Sequence, residues 1–468
     1  MVRTAQRFDI VVIGGGPGGY AAALYAAGAG LSVAVVEKDR VGGTCLHRGC
    51  IPAKEFLETA SVFRTVAGAK EFGVQAEQPS LDFAISQQRK QKVVDQLWKG
   101  LQGLMKRRKI TVFAGSGRLG PDRTVEVSDG TVLAGDHVIL ATGSVPRTIP
   151  GFDVDGRLVL TSDEVLALDR LPASAVVVGG GAIGCEFASM MSDLGVQVTL
   201  LEALPKLLPG CDADVVDVVA RSFKRRGIDV RVGVHVHGHT PVNGGDGGTT
   251  VAFGDGEEVT VDAVVVSVGR RPLSDDLLAE GTGVVVDGRG FVEVDEWCRT
   301  AEPGVYAVGD LVATPQLAHV GFAEAVVVVK DILGESPVPV DYAKVPWCIY
   351  CHPEVAFVGL SEQAARDAGL DVVTKKDPYA GNGRALIVGE PEGMVKVVAE
   401  RGPDGRAGRI VGVHMVGPWV TEQLGQGYLA VNWEAVPDEV AAFIQPHPTL
   451  SEVFGETVLA LTGRGLHA

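Results

Sequence analysis

A glycine-rich turn that occurs twice constrains the fold of this chain more than any other feature. Residues 8–19 read FDIVVIGGGPGG, and residues 175–184 read AVVVGGGAIG. In both copies a short apolar run leads through glycines into a helix-like stretch. Glycines at these positions allow a tight turn, close approach of a phosphate and close helix packing. The repeat predicts two doubly wound α/β domains that bind dinucleotides, although each copy alone also fits a plain strand–helix turn.

An acidic residue stands at the same distance after each turn. Glu37 follows Gly14 by 23 residues, and Glu202 follows Gly179 by 23 residues. A carboxylate at this point accepts hydrogen bonds from ribose hydroxyls and repels the 2′-phosphate of NADP. Residues 201–206 contain no arginine that could bind such a phosphate. We therefore expect the second site to prefer NAD.

Length and charge exclude several classes of protein. A chain of 468 residues is too long for one hydrophobic core. Its net charge of −16 argues against nucleic acid and anionic membranes as main partners. We see no secretion signal in residues 1–7 and no apolar run long enough to span a membrane. Seven cysteines do not suggest a secreted disulfide scaffold, so we expect a cytoplasmic protein.

Hydrophobic patterns between and after the glycine turns indicate further structure. Residues 110–137 alternate apolar and polar residues as hairpins do, and residues 138–144 return as a strand that ends in glycine. We interpret residues 242–256, which are rich in glycine, aspartate and threonine, as a hairpin loop. From Pro346 onward, new strands near Val355 and Ile410 and helices near Ser361 and Thr421 indicate a separate C-terminal domain.

The segment GGTCLHRGCIPAK, residues 42–54, holds two cysteines five positions apart. Cys45 and Cys50 lie in a turn rich in glycine and proline, where they can close a small disulfide. Helix-like sequence begins near Pro52, so the positive end of a helix, with Arg48 and Lys54, would lower a thiol pKa. Two inert buried thiols are the alternative, but the position just after the first acidic residue favours a redox-active pair.

Together these motifs resemble the pyridine nucleotide–disulfide oxidoreductases along the whole chain. The resemblance implies that Cys45 exchanges with the substrate disulfide and that Cys50 lies against a flavin. It also implies that Lys54 pairs with Glu186 near the flavin ring, and that Asp310, in TAEPGVYAVGD (residues 300–310), binds the ribityl chain.

The resemblance extends to the expected FAD and NAD contacts. PQLAH, residues 315–319, is similar to a flavin loop, and GRRP, residues 269–272, is similar to the segment that closes the NAD domain. The residues expected to contact a cofactor are Gly14, Gly16, Gly19, Glu37, Thr44, Lys54, Gly117, Thr142, Gly143, Ser144, Gly179, Gly181, Gly184, Glu186, Glu202, Val236, Gly269, Asp310, Gln316, Leu317, Ala318 and His319.

The segment QPHPTLSE, residues 445–452, is similar to the family's acid/base segment. His447 would exchange the thiol proton, and Glu452 would orient its imidazole. Thr449 and Glu452 also fit a capping box for a final helix, and the two roles are compatible.

The family's fold implies four domains in an α/β chain. Residues 1–149 and 150–272 would be Rossmann-like domains for FAD and NAD. Residues 273–345 would complete the FAD site, and residues 346–468 would form an α+β dimerisation domain.

The implied activity is oxidation of protein-bound dihydrolipoamide to lipoamide through a Cys45–Cys50 disulfide and FAD, with reduction of NAD+ to NADH. The expected partners are a second copy of the chain and the lipoyl domains and acyltransferase core of a 2-oxo acid dehydrogenase complex, or a glycine-cleavage carrier protein. A reductase of small disulfides usually uses NADP, which Glu202 disfavours, and the C-terminus lacks the cysteine pair of mercuric reductases. A flavin-binding module without activity is disfavoured by the complete set of catalytic residues.

Two other clusters favour structural roles. Cys348 and Cys351 are three positions apart in an apolar strand-like stretch, so they would face opposite sides and pack as thiols. The alternating histidines in residues 235–239 lack cysteine or acidic neighbours, so we expect no metal there.

Four residues near the expected chemistry differ from those common in relatives: Ala53, Glu55, Phe56 and Gln445. These differences affect the expected substrate fit and flavin potential rather than the fold.

Overall fold

The computed structural model describes residues 5–467. Residues 1–4, part of the stretch in which we see no secretion signal, and Ala468 lie outside the described residues. Within residues 5–467 the strands form five sheets. No helix in this range is both long and apolar enough to cross a membrane.

The first sheet contains the first glycine turn. Its elements in chain order are β1 (Gln6–Ile13), α1 (Pro17–Gly28), β2 (Val33–Glu37), α2 (Gly43–Arg48), α3 (Cys50–Gly68), α4 (Phe83–Arg107), β3 (Thr111–Ala114), β4 (Gly117–Leu119), β5 (Thr124–Val127) and β6 (Val132–Leu140). The strand order is β3-β2-β1-β6-β5-β4. Strands β3, β2, β1 and β6 are parallel, and β4, β5 and β6 are antiparallel.

The second sheet repeats this arrangement around the second glycine turn. The elements are β7 (Ser144–Pro146), β8 (Val159–Leu160), α5 (Ser162–Val165), β9 (Ser174–Val178), α6 (Ala182–Asp193), β10 (Gln197–Glu202), α7 (Ala213–Arg225), β11 (Asp229–Val232), β12 (Val236–Pro241), β13 (Thr249–Phe253), β14 (Glu257–Val261), β15 (Ala263–Val266) and β16 (Arg270–Pro272). Strands β11-β10-β9-β15-β8 form a parallel sheet, β12-β13-β14 form an antiparallel one, and β16 pairs with β7.

The third glycine of each motif is required by packing. A Cβ atom on Gly19 would lie 1.9 Å from the carbonyl oxygen of Gly14, and one on Gly184 would lie 1.8 Å from that of Gly179. Both contacts are far shorter than van der Waals contact, so a side chain there would push the helix off the strand. The same backbone contact in both copies confirms the repeat predicted from the sequence.

The chain then returns to the first sheet and continues into a C-terminal sheet. Strand β17 (Val305–Ala307) pairs in parallel with β6 and is followed by α8 (Ala318–Ile332). The later elements are β18 (Trp347–Ile349), β19 (Glu354–Gly359), α9 (Glu362–Asp367), β20 (Val372–Pro378), α10 (Gly383–Val388), β21 (Met394–Arg401), β22 (Ala407–Gly417), α11 (Val420–Gln423), α12 (Gly425–Asn432), α13 (Pro437–Ala441) and α14 (Glu452–Leu461). Strands β18-β19-β22-β21-β20 are antiparallel, so the change of pattern predicted from Pro346 is confirmed.

Two local predictions were partly right. Strands β4, β5 and β6 form the antiparallel hairpins predicted within residues 110–137, but β3 extends the parallel sheet beside β2. Residues 242–248 are a hairpin loop between β12 and β13, whereas residues 249–253, predicted as part of that loop, form β13, the middle strand of a meander. Its residues Val251 and Phe253 are buried in the core. The polar residues on either side of β13 hide this short apolar pattern in the sequence.

A buried ion-pair cluster joins the second glycine domain to the C-terminal sheet. Lys396, on β21, is only 4% exposed, and its Nζ lies 3.0 Å from Asp212 Oδ1, 2.7 Å from Asp214 Oδ2 and 2.8 Å from Glu362 Oε2. Asp212 caps α7, and its side chain is 2% exposed. The hydrogen bond from Lys396 lowers the pKa of Glu362. The ammonium therefore compensates carboxylates that could not remain buried alone.

We expect Lys396→Ala to destabilise the fold by about 3–5 kcal/mol, because Asp212 would keep a buried charge without its cation. Thermal unfolding at fixed protein concentration measures this as a lower midpoint. Arg406→Ala, whose ion pair with Asp404 is exposed, is the control and should change stability by less than about 0.5 kcal/mol. Because the folded-state pKa of Glu362 is lowered, the stabilisation is present near neutral pH and is lost as the pH falls through the acidic range. Equal midpoints for the two variants at neutral pH would contradict this role.

Candidate active site

One cavity of about 1400 Å³ lies where the two glycine turns face the cysteine segment. Most of the predicted site residues line it. They are Gly14, Gly16, Glu37, Thr44, Cys45, Cys50, Lys54, Thr142, Gly143, Ser144, Gly179, Gly181, Glu186, Glu202, Val236, Gly269, Asp310, Gln316, Leu317 and Ala318. Segments that are far apart in sequence thus meet around one space large enough for extended ligands.

Six predicted residues do not line this cavity. Gly19 and Gly184 act through helix packing, as described above, and Gly117 packs against Ile13 and Val36. His319 is exposed, and its Nε2 lies 2.8 Å from the carbonyl oxygen of Pro346. The remaining two residues, His447 and Glu452, lie elsewhere on the chain.

The two acidic residues have the same backbone contacts. Glu37 accepts the Gly15 N–H at 2.6 Å through Oε2 and the Asp39 N–H at 2.8 Å through Oε1. Glu202 accepts the Gly180 N–H at 2.6 Å and the Leu204 N–H at 2.6 Å. These bonds fix each carboxylate in the cavity wall, where its remaining lone pairs can accept hydrogen bonds from ribose hydroxyls.

The turns themselves leave backbone donors free for phosphate groups. Helices α1 and α6 begin after Gly16 and Gly181, and neither has a side-chain cap or an acidic residue in its first turn. A Cβ atom at Gly181 would meet nothing within 4 Å. Both helix N-termini therefore offer N–H groups and a positive dipole end to an anion.

The flavin segment also fits a polar ligand. The Gln316 Nε2 is buried in the cavity wall without a hydrogen-bond partner among residues 5–467. Ser144 donates to Asp310 Oδ2 at 2.5 Å, and Arg270 donates through Nε to Ser144 Oγ at 2.7 Å. An unpartnered amide donor in the cavity wall needs an acceptor, and Ser144, Asp310 and Arg270 add polar groups to the site, so these residues fit FAD.

Cys45 and Cys50 form a disulfide in the cavity wall, with their Cα atoms 4.6 Å apart. The expected turn is largely helical, because Cys45 lies in α2 and α3 begins at Cys50, two residues before Pro52. Cys50 is thus the first residue of a 19-residue helix. The positive end of this helix favours a thiolate on Cys50 after reduction.

The cations expected to assist the thiolate have other partners. Arg48 forms an ion pair with Asp39 at 2.5 Å and lies 3.8 Å from Asp163. Lys54 donates to both oxygens of Glu186 at 2.9 Å, as the family resemblance implied. Their positive charges are therefore largely compensated, and the helix end remains the main source of stabilisation for a Cys50 thiolate.

Tyr350 completes the Lys54–Glu186 contact and was missed by the sequence analysis. Its backbone N–H donates to Glu186 Oε1 at 2.9 Å, and its ring lies 4.8 Å from the Lys54 Nζ. Burial raises the pKa of the Tyr350 phenol to about 12, so it stays neutral. No local pattern marks this residue, because its contact with Glu186 uses the backbone.

The other five cysteines are free thiols, and burial raises the pKa of every one of them. The pKa of Cys348 rises to about 11 and that of Cys211 to about 12, and the pKa values of Cys185, Cys298 and Cys351 rise as well. Cys348 borders the cavity, whereas Cys351 is buried. Both therefore remain protonated near neutral pH, which agrees with the packing role expected for them.

The histidines of residues 235–239 make separate contacts. The Nε2 of His237 lies 2.8 Å from the Gly254 carbonyl oxygen, and Nδ1 of His239 lies 2.8 Å from Thr249 Oγ1. Across residues 5–467 no three His, Cys, Asp or Glu side chains are grouped to hold a metal ion.

His447 and Glu452 form a dyad on the surface of the chain. The His447 Nδ1 lies 2.9 Å from Glu452 Oε2, and the His447 side chain is 78% exposed. The Thr449 hydroxyl accepts the Glu452 N–H at 3.2 Å, but α14 begins at Glu452 and its N-cap is Ser451, which makes no side-chain capping bond. The capping box predicted for Thr449 and Glu452 was therefore wrong, and the Glu452 carboxylate binds His447 instead.

The four residues that differ from common relatives have ordinary contacts. Ala53 lines the cavity, and the Glu55 carboxylate lies 2.5 Å from the Arg89 guanidinium. The buried Phe56 ring stacks on Phe83, and Gln445 packs over Gly455. None of these contacts disturbs the disulfide.

Comparison with known proteins supports one family throughout the chain. Residues 8–325 match the family described as pyridine nucleotide-disulphide oxidoreductase, and residues 345–458 match its dimerisation domain. A dihydrolipoyl dehydrogenase of Bacillus subtilis is 44% identical, over 99% of this chain and 100% of the relative. One from Rhizobium etli is 38% identical, with coverage of 99% and 100%.

Solved structures show the same architecture. LpdA from Mycobacterium tuberculosis is similar with a TM-score of 0.89 and 27% identity, over 98% of this chain and 100% of that one. The HOCl-induced flavoprotein disulfide reductase RclA from Escherichia coli is similar with a TM-score of 0.85 and 26% identity, over 96% and 99%.

Proposed function

Because the chain belongs to the pyridine nucleotide-disulphide oxidoreductases, we propose that it oxidises a protein-bound dihydrolipoyl dithiol and reduces NAD+ to NADH. The observation that carries this proposal is the Cys45–Cys50 disulfide in the wall of the cavity that both glycine turns share. Full-length relatives named dihydrolipoyl dehydrogenase support the choice of substrate.

The cysteine pair performs the dithiol chemistry. A thiolate of the substrate attacks the Sγ of Cys45, the Cys45–Cys50 bond breaks, and Cys50 leaves as a thiolate at the start of α3. The second substrate thiol, once deprotonated, attacks the substrate sulfur bound to Cys45. This closes the substrate disulfide and releases the Cys45 sulfur. Two electrons thus pass from the substrate to the cysteine pair. His447 accepts the proton of the first thiol and releases it to solvent, then accepts the proton of the second thiol and passes it to the released Cys45 sulfur.

The cofactor-binding residues divide between the two turns. FAD would be held by residues of the expected FAD-binding and central domains (1–149 and 273–345), namely Gly14, Gly16, Glu37, Asp310 and Gln316. Gly179, Gly181 and Glu202 would hold NAD in residues 150–272. FAD, when bound, supplies the transfer of the electron pair from the reduced cysteines to NAD+.

We propose that the acid/base comes from a second copy of the chain. His447 is exposed and lies outside the cavity that Cys45 lines in the same chain. In the same domain, Phe443 and Ile444, which shortly precede His447, and Trp433 expose 68%, 97% and 75% of their surfaces, which is typical of an unpaired interface. The match of residues 345–458 to a dimerisation domain supports a homodimer.

The finer assignments are part of the same proposal. The partner would be a lipoyl domain with its acyltransferase core in a 2-oxo acid dehydrogenase complex, or a glycine-cleavage carrier protein. The chain has one disulfide and five free cysteines, which fits a protein of the cytoplasm, where disulfides are usually catalytic rather than structural.

We expect Glu202 to set the preference for NAD+ over NADP+, because its fixed carboxylate accepts ribose hydroxyls and repels a 2′-phosphate. In Glu202→Ala, kcat/KM for NAD+ with dihydrolipoamide should fall about 10- to 100-fold, the loss expected for hydrogen bonds to a charged group. Glu258 is an exposed acidic residue on β14, and Glu258→Ala, the control, should leave kcat/KM for NAD+ unchanged. A wild type that prefers NADP+ would exclude this role, and one that fails to oxidise dihydrolipoamide would exclude the proposed function.

Mixed dimers test whether Cys45 and His447 of different subunits form one site. Cys45→Ser and His447→Gln should each be nearly inactive alone. After the two variants are refolded together, half of the dimers should contain one intact site and one doubly altered site. Activity should return to about a quarter of wild type, as random pairing predicts. If subunit exchange is confirmed by mass spectrometry and no activity returns, the two residues act within one chain.

A further inference from the structure

Asn382 has a buried side-chain amide that binds one carboxylate oxygen of Glu452, while His447 contacts the other. Its Nδ2 donates to Glu452 Oε1 at 2.9 Å and to the Thr449 carbonyl oxygen at 3.0 Å. The imidazole of His447 contacts the other carboxylate oxygen, Oε2, at 2.9 Å. One carboxylate therefore lies between an imidazole and an amide that are 65 residues apart in sequence.

The orientation of the amide is fixed by its second role. Asn382 is the N-cap of α10, and its Oδ1 accepts the Ala385 N–H at 2.9 Å. A rotated amide would turn its oxygen toward a carboxylate and a carbonyl and its NH2 group toward an N–H donor. Only the observed orientation satisfies every group, and the side chain, at 6% exposure, is largely shielded from water.

The position of the His447 ring depends on this carboxylate. Since the ring is largely exposed in the single chain, its contact with Glu452 is a main restraint on its direction. A carboxylate held only by the imidazole could rotate, but the bond from Asn382 keeps Oε2 toward Nδ1. A proton on Nδ1 then leaves Nε2 free to accept a proton from a thiol.

We propose that Asn382 is a positioning residue for the dithiol half-reaction, which fixes Glu452 and through it the tautomer and direction of His447. This inference rests on the proposed function, because it assigns Asn382 to the same acid/base group. The alternative is that Asn382 serves only as a helix cap. The two roles use different atoms of the amide, Nδ2 and Oδ1, so they can be separated by substitution.

Three variants make this separation. Asn382→Ala removes both the cap and the donor. Asn382→Ser keeps a good cap residue, but its hydroxyl lies one bond closer to the backbone than Nδ2 does. Ser361→Ala is the matched control, because Ser361 caps another six-residue helix of the same domain, α9, through Ala364.

Steady-state and thermal measurements on the FAD-loaded protein give the first readout. We expect Asn382→Ala and Asn382→Ser to lower kcat for dihydrolipoamide oxidation about 10- to 100-fold, as loss of an orienting partner does elsewhere. Ferricyanide accepts single electrons and has no thiol proton for His447 to exchange, so its reduction by NADH should stay at the wild-type rate. Ser361→Ala should lower the unfolding midpoint and leave both activities unchanged.

NMR with isotope-labelled histidine measures the tautomer of His447, which should not change if Asn382 served only as a helix cap. The His447 signal, assigned among ten histidines by its loss in His447→Gln, should report the Nδ1–H tautomer in wild type. In Asn382→Ser the share of the Nε2–H tautomer should increase.

The outcomes distinguish the inference from the proposed function. If wild type oxidises dihydrolipoamide and Asn382→Ser does so equally well with an unchanged His447 signal, Asn382 is only a cap and the inference is wrong. If wild type itself does not oxidise dihydrolipoamide, the proposed function is wrong.

Discussion

The buried carboxylate of Glu186 is the contact on which the geometry of the cavity depends. It binds the Lys54 Nζ through both oxygens and accepts the backbone N–H of Tyr350. These partners lie 132 and 164 residues away in sequence. An uncompensated buried carboxylate would cost several kcal/mol, so the three segments are held together. Because Lys54 is one helical turn after Cys50, this contact fixes the disulfide relative to the second glycine turn.

The parts of the fold that the sequence predicted are those with a local physical cause. Both glycine turns were found because close packing of Gly19 on Gly14, and of Gly184 on Gly179, excludes any side chain. Strand β13 was missed because its neighbours are polar turn residues and its partners β12 and β14 are not evident from its own pattern. The pairing of β3 with β2 follows from tertiary packing, since an alternating pattern does not specify parallel or antiparallel neighbours.

The site shows the same division. Cys45, Cys50 and the His447–Glu452 contact follow from short motifs, and the structure places each pair together. Tyr350 and Asn382 could not be found in this way, because one acts through its backbone and the other through an amide distant in sequence. Arg48 and Lys54 were expected to lower a thiol pKa, but Arg48 binds Asp39, and Lys54 binds Glu186, a pairing that only the family resemblance implied. Charge compensation across a fold is not visible in a linear motif.

The proposed function requires that electrons pass from the dithiol to NAD through Cys50 and FAD. Anaerobic addition of dihydrolipoamide to the FAD-loaded protein, followed by absorption spectroscopy, tests this transfer most directly. We expect a new long-wavelength absorption in wild type, caused by interaction of the Cys50 thiolate with the flavin, and none in Cys50→Ser. A wild type that oxidises the dithiol without this absorption, or a Cys50→Ser variant that retains it, would contradict this transfer.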